Sequence, residues 1–336
     1  MLSMAPATNE RDPNALRTAA AAIGPNFIIA SLFIVALFVV VLTYGGTIRW
    51  KEGPILISGG ITLGLLVIRT VWWLPRLGKP GAGDELRRAL QRVLYDWGPL
   101  VIVMWMFESL EPYTGVIRKT VVDQQLYDLD VRIFGIEPSV WIGRFHHPLL
   151  TDWMSITYGL YFIAPIVMAT TLSLRGHRAH FTEMVTGTII QMGLGFIIHL
   201  FIPAGPPRHF AFLNHGVFQP PKLHSWTGLM ELQQGAFDTH DPMRTHSSFP
   251  SLHCSFGMLT LLYAWRFGAE MVPRYPRLVI RIALVLVVSL WISTVYLRHH
   301  WVPDCVAGML LGAGSVWLAY VIRRGWPSNA VTADVV

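Results

Sequence analysis

The hydrophobic positions along the chain fall into eight long apolar runs, at about 26–44, 54–75, 93–110, 150–173, 184–202, 251–268, 278–297 and 304–323. Each approaches the roughly 20 residues a helix needs to cross a bilayer core of about 30 Å. The pattern therefore predicts an all-α, polytopic transmembrane helix bundle of eight spans. Between the third and fourth runs the pattern changes. Ile117, Val121, Val122, Leu126, Leu129 and Ile133 recur at helical spacing opposite Lys119, Asp123 and Asp130. This predicts an amphipathic helix within 115–148 lying in the membrane interface rather than crossing it. Residues 203–250 form a long segment rich in Pro, Gly and His, and a loop of that length in a compact protein usually serves function. The first run, "NFIIASLFIVALFVVVLTY", is too long for a signal-peptide core and lacks a cleavage pattern, so it reads as a retained span.

Composition agrees. The chain has 336 residues, 53% hydrophobic and only 14% charged, with a mean hydropathy of +0.46. Soluble domains carry about 25% charged residues, so a soluble helical core is a poor explanation. The net charge of +6 is spread over short loops, with no basic run interleaved with aromatics, which argues against nucleic acid as a partner. Counted on alternate sides of the spans, fifteen cations share the side of the N-terminus and ten lie on the other, with Arg69 inside the second span. The bias predicts cytoplasmic termini, which turns 203–250, the start of the sixth span and the turn after the seventh toward the extracytoplasmic side. Cys254 and Cys305 both adjoin apolar runs, and two such residues define neither a disulfide nor a redox compartment.

Three polar clusters then fall on one face. "IPAGPPRHF" (202–210) offers Arg208 and His209; "FPSLH" (249–253) offers Ser251 and His253; "STVYLRHHWVPDCVAG" (293–308) offers Arg298, His299, His300 and Asp304. Each alone has a plain structural explanation: prolines that break a helix, an interfacial arginine, a polar residue at a helix start. Together they sit at one depth, and Asp304 at the edge of an apolar span is costly unless paired or functional.

Phosphoryl chemistry accounts for the set. A histidine attacks phosphorus when a carboxylate fixes its tautomer, and His300 and Asp304 are four residues apart. A second histidine, His253, protonates the leaving oxygen. Arg208 and Arg298 neutralise phosphoryl oxygens, with backbone N–H groups behind Pro250 and Ser251 as further donors. His209 and His246 are candidate headgroup contacts, and Asp123 and Asp130 are further candidates to reach the headgroup pocket. The other loop histidines, His215, His224 and His240, match no ligand spacing, so neither a metal site nor a cofactor is expected.

These residues resemble the signature of the type 2 phosphatidic acid phosphatase superfamily, K-x6-R-P, P-S-G-H and S-R-x5-H-x3-D. "PSLH" at 250–253 matches the second motif except for Leu252 in place of glycine, and Ser293 through Asp304 match the third in spacing, with Thr294 in place of arginine. Phe201 stands where the first motif has lysine, and Arg208 follows its prolines instead of preceding one. The resemblance implies His300 as nucleophile, Asp304 as its orienting partner, His253 as general acid and base, and a six-helix core formed by the third to eighth spans. It divides the chain into an N-terminal tail with two accessory helices (1–92), the core with its interfacial helix and active-site loop (93–324), and a C-terminal tail (325–336).

Within the superfamily, "SFPSLH" and "YLRHHWVPD" look most like the inositol phosphorylceramide synthase branch. That likeness implies a transferase moving an inositol phosphate-like headgroup from a membrane phospholipid donor to a lipid alcohol acceptor through a phosphohistidine. A lipid or polyprenyl phosphate phosphatase uses the same residues with water as acceptor. A transport or lipid-binding protein on the same fold would use polar residues inside spans, such as Gln191 and His199. A shortage of cations suits a phosphodiester, which carries one charge, over a phosphomonoester, which carries nearly two; Arg298 as a replacement for the missing arginine would weaken that inference.

Overall fold

The computed structural model describes residues 20, 23–44, 82–110, 117, 118, 120–214, 223–232 and 246–326. The expected second span, the termini, and His215 and His240 lie outside the described residues. Among the described residues eleven α-helices follow in order: α1 (Pro25–Tyr44), α2 (Ala82–Leu110), α3 (Asp123–Phe134), α4 (Pro138–Ile142), α5 (Pro148–Gly159), α6 (Ile163–Leu174), α7 (Arg178–Phe201), α8 (Pro207–Asn214), α9 (Leu252–Met271), α10 (Pro276–Tyr296) and α11 (Val302–Gly325). A 3-10 turn, Gly143–Phe145, follows α4. The fold is all-α, and among the described residues the one β pairing is an isolated parallel bridge between Ala204 and Ser247.

Among the described residues four helices, α1, α7, α10 and α11, are long and apolar enough to cross a membrane. The α5–α6 pair passes together as a fifth but is bent by 46°. At 29 and 20 residues α2 and α9 are long enough but more polar.

The run 150–173, expected as one span, is thus two helices. Pro165 falls in the first turn of α6, where its missing N–H cannot serve a continuous ladder, so the chain turns at 160–162 and restarts. The interfacial segment also departs from a single helix. Gly135, at φ 72°, closes α3 by donating its N–H to the Val131 carbonyl, and Pro138 opens α4 behind a Glu137 cap.

Helices α7, α9 and α11 form the centre, with Leu259, Tyr263 and Ala264 of α9 fully buried. The approach of α9 to α11 depends on "GMLLG" at 308–312. A Cβ on Gly308 would lie 2.1 Å from the Ser251 carbonyl oxygen, and one on Gly312 would lie 2.4 Å from that of Ser255. Small residues four apart are what let membrane helices meet at backbone distance. The contact matters here because it sets the start of α9 directly against the start of α11, the two places where His253 and Asp304 stand.

Candidate active site

The second and third clusters are joined by their backbones. Ser251 N–H donates to the Asp304 carbonyl at 3.0 Å, and its hydroxyl caps α9 by accepting from Cys254 N–H at 3.3 Å. Ser251 is fully buried and spends its hydroxyl on the helix end. His299 and His300 donate their N–H groups to the Thr294 carbonyl at 2.9 and 3.1 Å, which folds the 297–300 turn back onto α10. Arg298 takes φ 60° in that turn.

His300 lies at the middle. Its Nδ1 is 3.0 Å from the Ser248 carbonyl and 3.5 Å from Asp304 Oδ2. A carbonyl only accepts, so Nδ1 carries the proton and Nε2 keeps its lone pair. Nε2 faces His253 Nδ1 at 3.4 Å. Burial holds His300 down to about 3, against the Ser248 hydrogen bond that raises it, so the ring is neutral near pH 7. Asp304 is fully buried, and its Oδ2 accepts Trp301 N–H at 3.1 Å at the start of α11.

Arg208 reaches the same place from α8. Pro207 occupies the first position of that helix, so the two prolines start a helix within the 203–250 segment, and Arg208 falls in its first turn. Arg208 N–H donates to the Arg298 carbonyl at 3.3 Å, its Nε to His209 Nε2 at 3.4 Å, and its Nη1 to His299 Nδ1. A guanidinium only donates, so His299 Nδ1 is unprotonated. Burial, then Arg208, keeps this ring well below the usual histidine range.

Arg298 extends elsewhere. A Cβ on Gly143 would lie 3.1 Å from its Nη2, and Glu137 is the anion that favours its charge against burial. His246 gives its carbonyl to Ala204 N–H at 3.1 Å, and its ring stands close enough to Asp123 to act on it electrostatically.

Two departures from the family motifs have local explanations. Leu252 is 8% exposed and fills a recess over Gly195 of α7, where a Cβ would come within 2.5 Å of Leu252 Cδ2. Thr294 is fully buried; its hydroxyl donates to the Trp291 carbonyl at 2.8 Å and lies between Cys254 Sγ (3.8 Å) and Cys305 Sγ (3.2 Å). Both cysteines are free thiols.

Sequence reasoning missed the aromatic wall. Tyr158 stacks on His253 with centroids 4.1 Å apart and on His299 at 4.4 Å, while Tyr161 lies 4.1 Å from His253. Both come from the bend between α5 and α6, where the Gly159–Pro165 spacing was the available signal. His199 of α7, at first grouped with span polars, lies 3.1 Å through Nε2 from the Pro250 carbonyl and so supports the second motif from below.

The interfacial helix is turned opposite to a simple reading of its apolar face. Asp130 is 1% exposed, while Leu129 and Ile133 are 40% and 60% exposed. Leu126 is buried beside Asp130, so the side turned to the bundle joins an apolar residue to the carboxylate, and Leu129 and Ile133 are left for the bilayer. Asp123 Oδ1 accepts Gly205 N–H at 2.7 Å and Asp130 Oδ2 accepts Val302 N–H at 3.3 Å. Among the described residues no group of three or more His, Cys, Asp or Glu is placed to hold a metal ion.

A bundle of apolar helices that gathers histidines, an arginine and a carboxylate at one end defines a class of membrane-lipid phosphatases and phosphotransferases. The model of the PAP2 superfamily matches residues 124–318, more than half of the chain, from α3 to within α11. The chain belongs to the PAP2 superfamily, and it is an enzyme of that phosphatase and phosphotransferase type. No curated protein and no solved structure matches it.

Proposed function

We propose that the protein transfers a phosphoryl headgroup from a phospholipid to a lipid alcohol, with His300 as nucleophile. The observation that carries this reading is the tautomer of His300, whose Nδ1 is held by the Ser248 carbonyl beside Asp304 while the Nε2 lone pair faces His253 Nδ1 at 3.4 Å.

A bound phosphodiester parts the two rings, takes the place of the His300–His253 contact, and by its negative charge lets His253 hold a proton on each nitrogen. His300 Nε2 attacks phosphorus, the bond from phosphorus to the diacylglycerol oxygen breaks, and His253 delivers a proton to that oxygen. His300 becomes a phosphoimidazolium whose positive charge Asp304 supports. In the second half, the acceptor alcohol gives its proton to His253, its oxygen attacks phosphorus, and the P–N bond breaks. Arg208, steadied by His299, neutralises the phosphoryl oxygens in both transition states.

The cation supply supports a diester. Thr294 occupies a sealed joint beside two thiols where the family motif has arginine, and Arg298 is directed to Glu137 and Gly143. One well-placed arginine suits a singly charged phosphodiester better than a monoester. An inositol phosphate-like headgroup and a sphingoid acceptor follow from the resemblance of "SFPSLH" and "YLRHHWVPD" and belong to this proposal. So do the six-helix core within 93–324 and an extracytoplasmic site with cytoplasmic termini, which rest on span counting and charge bias.

The test is purified protein with labelled phosphatidylinositol, with and without ceramide. Ceramide-dependent formation of a labelled lipid supports the transferase. Inorganic phosphate released from a lipid monoester, with no lipid product, replaces it with the phosphatase reading. Lipid binding without turnover, unchanged in His300→Ala, would leave a non-catalytic protein on the same fold.

A further inference from the structure

We propose that Asp130, on the interfacial helix α3, is a positioning residue for the Asp304–His300 pair and that turnover depends on the charge it carries. This rests on the catalytic reading of His300 given above.

Two carboxylates cap consecutive backbone N–H groups at the start of α11. Asp304 Oδ2 accepts from Trp301 N–H at 3.1 Å, and Asp130 Oδ2 accepts from Val302 N–H at 3.3 Å. The first comes from within the helix, the second from an element remote in sequence. Helix N-termini favour such anions, and a single carboxylate already satisfies one of the exposed donors.

Asp130 has more than a cap requires. Its Oδ1 and the Oδ1 of Asp304 are both buried without a hydrogen-bond partner. Asp130 is near enough that its charge acts on Asp304. When His300 bonds to phosphorus its ring becomes cationic, and a second anion behind Asp304 strengthens the hold on that cation. A protonated Asp130 withdraws this support.

The charged and titratable neighbours define the setting. Asp304 and His300 lie on α11 and its lead-in, Glu137 stands ahead of α4, and Arg208 and His209 come from α8. Asp123, Asp128 and Arg132 share α3. Burial raises Asp130 to about 7, opposed by the Val302 hydrogen bond and reinforced by Glu137. The charge therefore changes near neutrality, carboxylate above and carboxylic acid below.

The deciding variant is Asp130→Asn in the full-length protein, because an amide oxygen still accepts Val302 N–H but never ionises. The wild-type kcat/KM for labelled phosphatidylinositol should rise with pH through about 7. Asp130→Asn should stay flat across that interval and fall about tenfold below wild type at pH 8, the size of a one-unit interaction, with an unchanged melting temperature. A wild-type profile without that limb, or an Asp130→Asn profile that overlays wild type, overturns the proposal. If Asp130→Asn fails to fold, Asp130→Glu decides: a displaced limb supports the role and an unmoved limb ends it. His300→Ala run in parallel separates the two ideas. Full activity in it removes the catalytic reading, whereas inactivity combined with a wild-type-like Asp130→Asn removes only the role of Asp130.

Discussion

Helices α7, α9 and α11 carry a polar centre at each end. At one end stand His199, His253 and Asp304; at the other Glu183 of α7 meets Arg266 of α9 and Arg323 of α11. At 1.5 Å per residue the two centres are about 20–28 Å apart along these helices. Glu183 is fully buried, with Oε1 2.6 Å from Arg266 Nη1 and Oε2 against Arg323 Nε. Its carbonyl accepts from Tyr263 Oη at 3.0 Å, and the Arg266 guanidinium lies 4.7 Å over the Tyr320 ring. Anion and cations answer each other there, and aromatic faces cover the rest.

The histidine end is differently made. His253 Nε2, Asp304 Oδ1 and Asp130 Oδ1 are buried with no hydrogen-bond partner. Buried polar atoms are normally satisfied. Unpartnered ones also occur toward the other end, among them His180 Nδ1 and Glu270 Oε2. Those of the histidine end surround the His300–His253 pair, whereas Glu183 is held by two arginines. The same helices thus supply a clamp at one end and an open set of donors and acceptors at the other.

That contrast is tested most severely by His300→Ala. It should lower turnover at least about 10³-fold with the melting temperature unchanged, read by initial rates on labelled phospholipid and by thermal unfolding in detergent. Glu183→Ala should do the reverse. Leaving two half-buried guanidinium groups without their anion lowers stability, by less than the roughly 3–5 kcal/mol of a fully buried pair because both reach solvent, while the rate per folded molecule stays at the wild-type value. A large rate loss in folded Glu183→Ala would break the division between the ends. Arg208→Ala should reduce kcat/KM about 10²-fold, and Arg208→Lys should restore little, because an ammonium lacks the planar fork that serves His299 and a phosphoryl oxygen together. The smallest effect is expected at Gly195→Ala, where the new methyl displaces the end of Leu252. A loss of about 1 kcal/mol should largely disappear in the double variant with Leu252→Ala, as a double-mutant cycle on melting temperature would report.

Much of this arrangement was legible in the residues. Helices long enough to span read as apolar runs whether they face lipid or the centre, so α1, α7, α10 and α11 stand where hydropathy puts them. His253, His300 and Asp304 were found because each lies at the end of such a run, and span ends share a depth. The bend at 160–162 was missed because hydropathy does not register the one N–H that Pro165 lacks. Asp123 and Asp130 were named as candidates to reach the pocket, but periodicity shows only that α3 has two faces and not which of them packs inward. Ser248 acts through its carbonyl, and every residue has one, so no side chain could announce it. Tyr158 and Tyr161 look like any aromatic pair in a span until the bend brings them to His253.

The pairing of Ala204 with residues 246–248 has an evolutionary consequence. Ala204 N–H donates to the His246 carbonyl at 3.1 Å and its carbonyl accepts from Ser248 N–H at 2.9 Å, so the excursion between them is tied off at its root. Doubling the length of such an excursion costs only about 0.6 kcal/mol of closure entropy. His253, His300 and Asp304 lie outside the excursion and Arg208 is tied to the Arg298 carbonyl near its start, so the stretch beyond α8 can change by insertion or exchange, and substrate preference with it, without moving the proposed catalytic groups.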